Sequence, residues 1–210
     1  MVKIDQNFPD SEPLTEKQRQ IVDAACKLFT EQGYEVTSMD KVAAEANVSK
    51  RTVYSYFDSK EHLFCTVMGG MCAGFGEPNS DDIDYSGTLR EVLTDCALLI
   101  LAKVNNPEKL RLMRTVIAEA EQFPLIGETF WNEGPGKMRN ELAGYIGKMQ
   151  DEGLLRKTDP AMAAAHFQGF VTGPFMIQRL FTSSCDWTAE DAINSVGPAV
   201  ESFLKAYAPD

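Results

Sequence analysis

A chain of 210 residues with 44% hydrophobic side chains can bury one large core or two small ones, which excludes wholesale disorder. Its five cysteines (Cys26, Cys65, Cys72, Cys96 and Cys185) are odd in number and contain no CxxC pair, so reduced thiols are expected rather than a disulfide framework, with a redox-sensing cysteine as the other reading. The net charge of −11 argues against nucleic-acid binding by the chain as a whole, because phosphate contacts need Lys and Arg.

Residues 1–14 are polar and marked by prolines, and read as a flexible arm. They lack the basic start, apolar run and cleavage site of a secretory signal, so a cytoplasmic protein is expected. Thr15 with Gln18 three residues on forms a capping box that opens the first helix. Ile21, Ala24, Ala25, Leu28 and Phe29 fall on one face of it, and Gly33 supplies its left-handed stop. A short helix follows from about Ser38 to Ala46, with Met39, Val42, Ala43 and Ala46 as its buried stripe. Asn47 suits a positive-φ turn. Ser49 then caps a second short helix, Lys50 to Tyr56, and Ser59 caps a fourth helix that begins at Lys60.

A polar connection from Gly74 to Gly87 carries Asp81, Asp82 and Asp84 and separates two parts, a domain over 15–68 and a larger one over 69–210. In the second, helical periodicity covers 88–105, 107–121, 125–152, 160–181 and 188–206. Breaks within helices are expected at Gly134-Pro135-Gly136 and at Gly197-Pro198. Pro107, Pro124 and Pro160 sit at helix starts, where a missing N–H costs nothing, and Asp159 and Thr188 read as caps. From Pro160 to Gln178 there is no charged side chain. The stretch is too rich in Ala, Gly and polar groups for a bilayer span, so it is expected to be buried in protein on most sides. With no strand pattern anywhere, the predicted fold is all-α: an amino-terminal three-helix helix-turn-helix domain followed by a larger helical ligand-binding and dimerisation domain.

Two short helices around a tight turn, braced by a longer one, describe a helix-turn-helix. The second short helix must enter a major groove, so it needs small polar or basic groups outside and apolar ones inside. Residues 49–57 meet both demands. Charge agrees locally: residues 1–68 hold 8 basic and 11 acidic side chains, a net −3, yet between Asn47 and Lys60 three cations face Asp58 alone. Lys50, Arg51 and Ser55 are the candidates for base edges. Tyr56 offers its hydroxyl at the groove edge, and Tyr54 belongs either there or in the core. Lys60 at a helix start would meet a phosphate.

The run TSMDKVAAEANVSKRTVYSYFDSKEHLF, Thr37 to Phe64, closely resembles the signature of the TetR family. The body is similar to the AefR-like subgroup in RLMRTVIAEAEQFPLIGETFW, in GLL at 153–155 and in the helix after Asp159. The resemblance implies a dimeric repressor that binds a near-palindromic DNA operator and is released by a small molecule. It also implies backbone contacts from Thr52, Tyr54, Tyr56 and Lys60, with Ser38 and Met39 close to the duplex. Ser49, at the start of the recognition helix, is expected on the DNA side with them. Many relatives have Gly where this chain has Arg51, and the departure points to a guanine contact.

Ala165, Gly169 and Gly173 recur every four residues, and Ile193, Val196, Val200, Phe203, Leu204 and Tyr207 form a stripe on the last helix. These helices, at about 160–181 and 188–206, can pair with their copies in a homodimer or simply fill the core. Two recognition helices would then lie about 34 Å apart, one DNA turn. For a small hydrophobic or amphipathic effector the nominated apolar lining is Met113, Ile117, Phe123, Phe130, Trp131, Phe167, Phe170 and Phe175, with Arg114, His166 and Gln178 as polar contacts. Ordinary core packing explains the same residues.

Enzyme constellations are missing. Gly134-Pro135-Gly136-Lys137 resembles a phosphate loop but has Asn132 and Met138 where the pattern needs Gly and Ser or Thr. His62 and Cys65 share a helix face without a second cluster to complete a metal site, so neither metal nor cofactor is expected. The alternative function is a helical ligand-sensing or protein-interaction domain that does not bind DNA.

Overall fold

The computed structural model describes residues 14–73, 83–182 and 188–209. The predicted arm up to Pro13, most of the Gly74–Gly87 connection with Asp81 and Asp82, and Cys185 lie outside the described residues, as does the side chain of Cys72. Every regular element among the described residues is a helix. The chain divides into two compact units, with the boundary in sequence between Val67 and Met68.

The first unit opens with α1, Glu16–Gln32, capped reciprocally by Thr15 and Gln18. Gly33 ends it at φ 87°, a conformation closed to side chains with a Cβ. Then come α2, Met39–Glu45, α3, Lys50–Tyr56, and the start of α4, Lys60–Ala73. Ser38 and Ser49 accept from the Lys41 and Thr52 N–H groups, and Ser59 accepts from His62 at 3.0 Å. Ile21, Ala25, Phe29, Val42, Val53, Phe57, Leu63 and Phe64 are buried together in the hydrophobic face this spacing creates. Phe64 meets both Phe29 and Tyr34 edge-on, with ring centroids 4.9 Å apart in each case.

The second unit contains α5, Leu89–Asn105, α6, Pro107–Glu119, α7, Pro124–Glu133, α8, Pro135–Asp151, α9, Pro160–Thr172, α10, Met176–Phe181, α11, Ala189–Asn194, and α12, Val196–Ala206. Helix α9 packs against α8, α12 and α5. Its Phe167 and Val171 are fully buried, and Phe167 meets Phe203 of α12 edge-on at 5.2 Å. Asp159 and Thr188 do cap α9 and α11. The break between α7 and α8 falls at Gly134. There Gly136 is needed, because a Cβ would sit 2.6 Å from the Trp131 indole nitrogen.

Three expectations are corrected. The stretch 160–181 is two helices, not one: Pro174 has no N–H for the ladder and its ring collides with the preceding turn, so the chain restarts at Met176. The break in 188–206 lies at Ser195, not at Gly197-Pro198, since Pro198 stands in the first turn of α12 where no N–H is called for. The charge-free stretch is not enclosed on most sides in the single chain. Met162 at 54% and Ile177 at 65% exposure lie open, with Gly169 and Phe170 also exposed between them.

Burial, aided by the nearby Asp95 carboxylate, pushes the Cys96 thiol up to about 12. Its thiolate fraction at pH 8 is then on the order of 10⁻⁴. Alkylation of the native protein followed by peptide mass mapping should leave Cys96 unmodified and label it only after denaturation. Prompt native labelling would contradict this packing.

Candidate nucleic-acid interface

The turn between α2 and α3 is built from Ala46, Asn47 and Val48. Asn47 takes φ 49°, which Asn tolerates because its short amide can bond locally. The Val48 N–H bonds the Ala43 carbonyl at 2.9 Å, and the Gln20 amide reaches from α1 to the Ala46 carbonyl at 2.7 Å. Lys27 of α1 pairs with Glu45 of α2 at 2.6 Å. The turn is therefore held from the bracing helix as well as from within.

Helix α3 buries Val53 completely and is followed by buried Phe57, which set its inner face. Ser49, Lys50, Arg51, Tyr54, Ser55 and Tyr56 are exposed on the outside, and Thr52 is half-buried. Tyr54, left open between groove edge and core, is 44% exposed. Arg51 makes no hydrogen bond or ion pair with the described residues, so its guanidinium projects unspent. Lys50 reaches both oxygens of Asp40 on α2, at 2.8 and 3.0 Å, and that carboxylate raises the ammonium pKa above its ordinary value. The Ser55 hydroxyl donates to the Thr52 carbonyl at 2.7 Å.

Two of the DNA-side candidates lie differently from the expectation. Met39 is only 6% exposed, because its place on the Met39–Val42–Ala43 stripe turns the side chain inward. Ser38 beside it is exposed. Lys60 directs its ammonium into the protein, onto the carbonyls of Tyr34 and Glu35. Neither the Lys50–Asp40 pair nor the Lys60 contacts had a signal in the sequence, since their partners are distant along the chain.

The nominated effector residues are scattered. Phe167 and Phe175 are fully buried core, while Met113, Phe123, Phe130 and Gln178 are half-buried. Ile117 and Trp131 are exposed, and Trp131 lies under the Arg139 guanidinium at 4.6 Å. His166 Nδ1 is 2.5 Å from the Tyr207 hydroxyl. Phe170 lines an open groove with Pro174, Asp191, Asn194 and Pro198. Arg114 donates to the carbonyls of Arg179, Leu180 and Thr182, closing the end of α10, while Arg179 reaches Asn105 at 2.5 Å. Among the described residues no group of three or more metal-ligating side chains occurs, and no helix is long and apolar enough to cross a membrane.

An exposed short helix with a cationic outer face, set on a capped turn and a bracing helix, defines a helix-turn-helix DNA-binding domain. Comparison with known proteins agrees. Residues 21–66 match the tetR family of bacterial regulatory proteins, and residues 91–209 match the carboxy-terminal domain of AefR-like transcriptional repressors. The structure is similar to that of the flavonoid-responsive regulator FrrA, at 31% identity and a TM-score of 0.78 over 92% of this chain and 97% of that one. It is similar to a TetR-family transcriptional regulator from Mesorhizobium loti, at 30% identity and a TM-score of 0.77 over 91% and 96% of the two chains. The HTH-type transcriptional regulator YhgD of Bacillus subtilis is 28% identical over 71% of this chain and 77% of its own. This chain belongs to the TetR family of DNA-binding transcriptional regulators.

Proposed function

We propose that the chain is a repressor that grips a near-palindromic operator as a homodimer and is released by a small hydrophobic or amphipathic effector. The amino-terminal unit reads DNA and the larger unit pairs and senses. The observation that carries the reading is α3 itself, with Val53 and Phe57 fixed inside while Arg51 projects unpaired. Arg51 reads a guanine edge, and Lys50 exchanges Asp40 for DNA on binding. Tyr54 and Tyr56 flank the groove, and the backbone at Ser38 and Met39 faces a phosphate.

Pairing runs through the open side of α9 and through α10, α11 and α12. Gly169, with nothing within 4 Å of a would-be Cβ, allows close approach of a second helix, and Met162, Phe170 and Ile177 gain burial. For the effector, the half-buried Met113, Phe123, Phe130 and Gln178 belong to the part of the nominated lining that is neither sealed in the core nor open to solvent. FrrA, similar over nearly its whole length, is named for its response to flavonoids, which supports an aromatic, partly polar ligand.

The test is enrichment of duplexes from a random library, followed by binding across a salt series. Wild-type affinity should fall linearly on a log–log plot as phosphate contacts are screened. Arg51→Ala should lose about 1–3 kcal/mol of discrimination at one base position in each half-site. An unchanged enriched sequence would remove Arg51 from base reading, and salt-independent or absent binding would remove the operator.

A further inference from the structure

Lys60 stands in the first turn of α4, where a cation is expected to face a phosphate. Its contacts point the other way. The ammonium donates to the Tyr34 carbonyl at 2.9 Å and to the Glu35 carbonyl at 3.2 Å, and sits 4.2 Å from the centre of the Tyr34 ring. Two of its three donor directions are thus committed to backbone oxygens and one side to an aromatic face. The ring it covers is fixed: Tyr34 is fully buried and packs on Phe29 and Phe64. An exposed, mobile lysine would hold none of this geometry.

We infer that Lys60 is a positioning residue for DNA binding: it fastens the turn between α1 and α2 to α4 and thereby sets where α2 begins. The physical links are continuous. The Tyr34 carbonyl that Lys60 holds also accepts from the Thr37 N–H at 3.2 Å. Thr37 is buried, and its hydroxyl donates to the Gly33 carbonyl at 2.8 Å. The next residue, Ser38, caps α2. Lys41 closes the same turn from α2, donating to the Val36 carbonyl at 3.0 Å and to Gln32 at 3.2 Å. Removing the ammonium leaves two carbonyls and a ring face without their cation, and frees the turn that places Ser38 at the duplex. The inference rests on the proposed reading that α2 and α3 face the DNA.

The test compares Lys60→Met and Lys60→Arg with wild type on the duplex that wild type enriches from a random library. Binding is measured well below the melting temperature, with the active fraction counted by titration. Lys60→Met should lower the melting temperature. It should weaken binding by the folded fraction at least about tenfold, the order of one lost charge-assisted hydrogen bond. The slope of log affinity against log salt should stay unchanged. Lys60→Arg, which can donate to both carbonyls and stack on Tyr34, should restore most of both quantities. A phosphate contact gives another pattern, in which melting is unchanged and the slope falls by about 0.9. A purely structural lysine gives a third, in which melting falls and the folded fraction binds normally. Either of these overturns the inference. If Lys60→Met does not fold, Lys60→Gln, which keeps one donor group, carries the same comparison. If wild type enriches no duplex, the DNA reading itself fails, and unchanged melting would then sink the Lys60 contacts separately.

Discussion

Phe170→Asp should leave the chain folded as a monomer and weaken operator binding by roughly 10²–10⁴-fold, the avidity lost when one of two linked sites is removed. Phe170 is 39% exposed on α9, so a single chain tolerates a carboxylate there with water to solvate it. In the proposed dimer the same position is covered, and an unpaired buried charge opposes association strongly. Its groove already contains Asp191, which adds like-charge repulsion. Sedimentation reads the oligomeric state, circular dichroism the fold, and a salt series the loss of phosphate contacts, since a lone subunit grips one half-site and its salt slope should be about halved. Phe170→Ala is the milder control. A Phe170→Asp protein that still sediments as a dimer and binds its operator at full strength would move the pairing surface off α9.

Phe64→Ala should destabilise the amino-terminal unit by about 3–5 kcal/mol, the usual range for deleting a fully buried phenyl ring. Phe64 is fully buried, and its ring touches both Phe29 and Tyr34 at 4.9 Å. A unit of this size buries a small core and has little reserve, so a loss of that size takes most of its stability. Tyr34 is also the ring on which the Lys60 ammonium rests, so the cavity loosens the start of α2 together with the core. Urea unfolding followed by a probe in this unit should show the midpoint falling steeply, and DNA binding should be lost in parallel. Phe64→Leu, which keeps most of the volume, should cost less than half as much. A change below about 1 kcal/mol for the alanine variant would mean that the three rings do not form the core described.

Much of the site was legible because it is written in short-range chemistry. Thr15 with Gln18, Ser49, Ser59, Asp159 and Thr188 each bond a backbone N–H two or three residues away, and residue type alone announces such caps. Asn47 at positive φ and the apolar pair Val53 and Phe57 under α3 follow from the same local rules. The exposed Arg51 follows from the periodicity of one short helix.

What the chain alone determined, then, was its helices, their caps and the polarity of the recognition helix, since each depends on neighbours within about one turn. Only the tertiary structure decided which charges are free. Lys50 and Lys60 look alike as sequence, but one is paired across ten positions with Asp40 and the other reaches back 26 positions to Tyr34. It likewise left one side of α9 bare. The reason is physical: a cap spans one turn of backbone, whereas an ammonium or an apolar face is satisfied by whatever the folded chain brings within a few ångströms, and sequence distance carries no record of that.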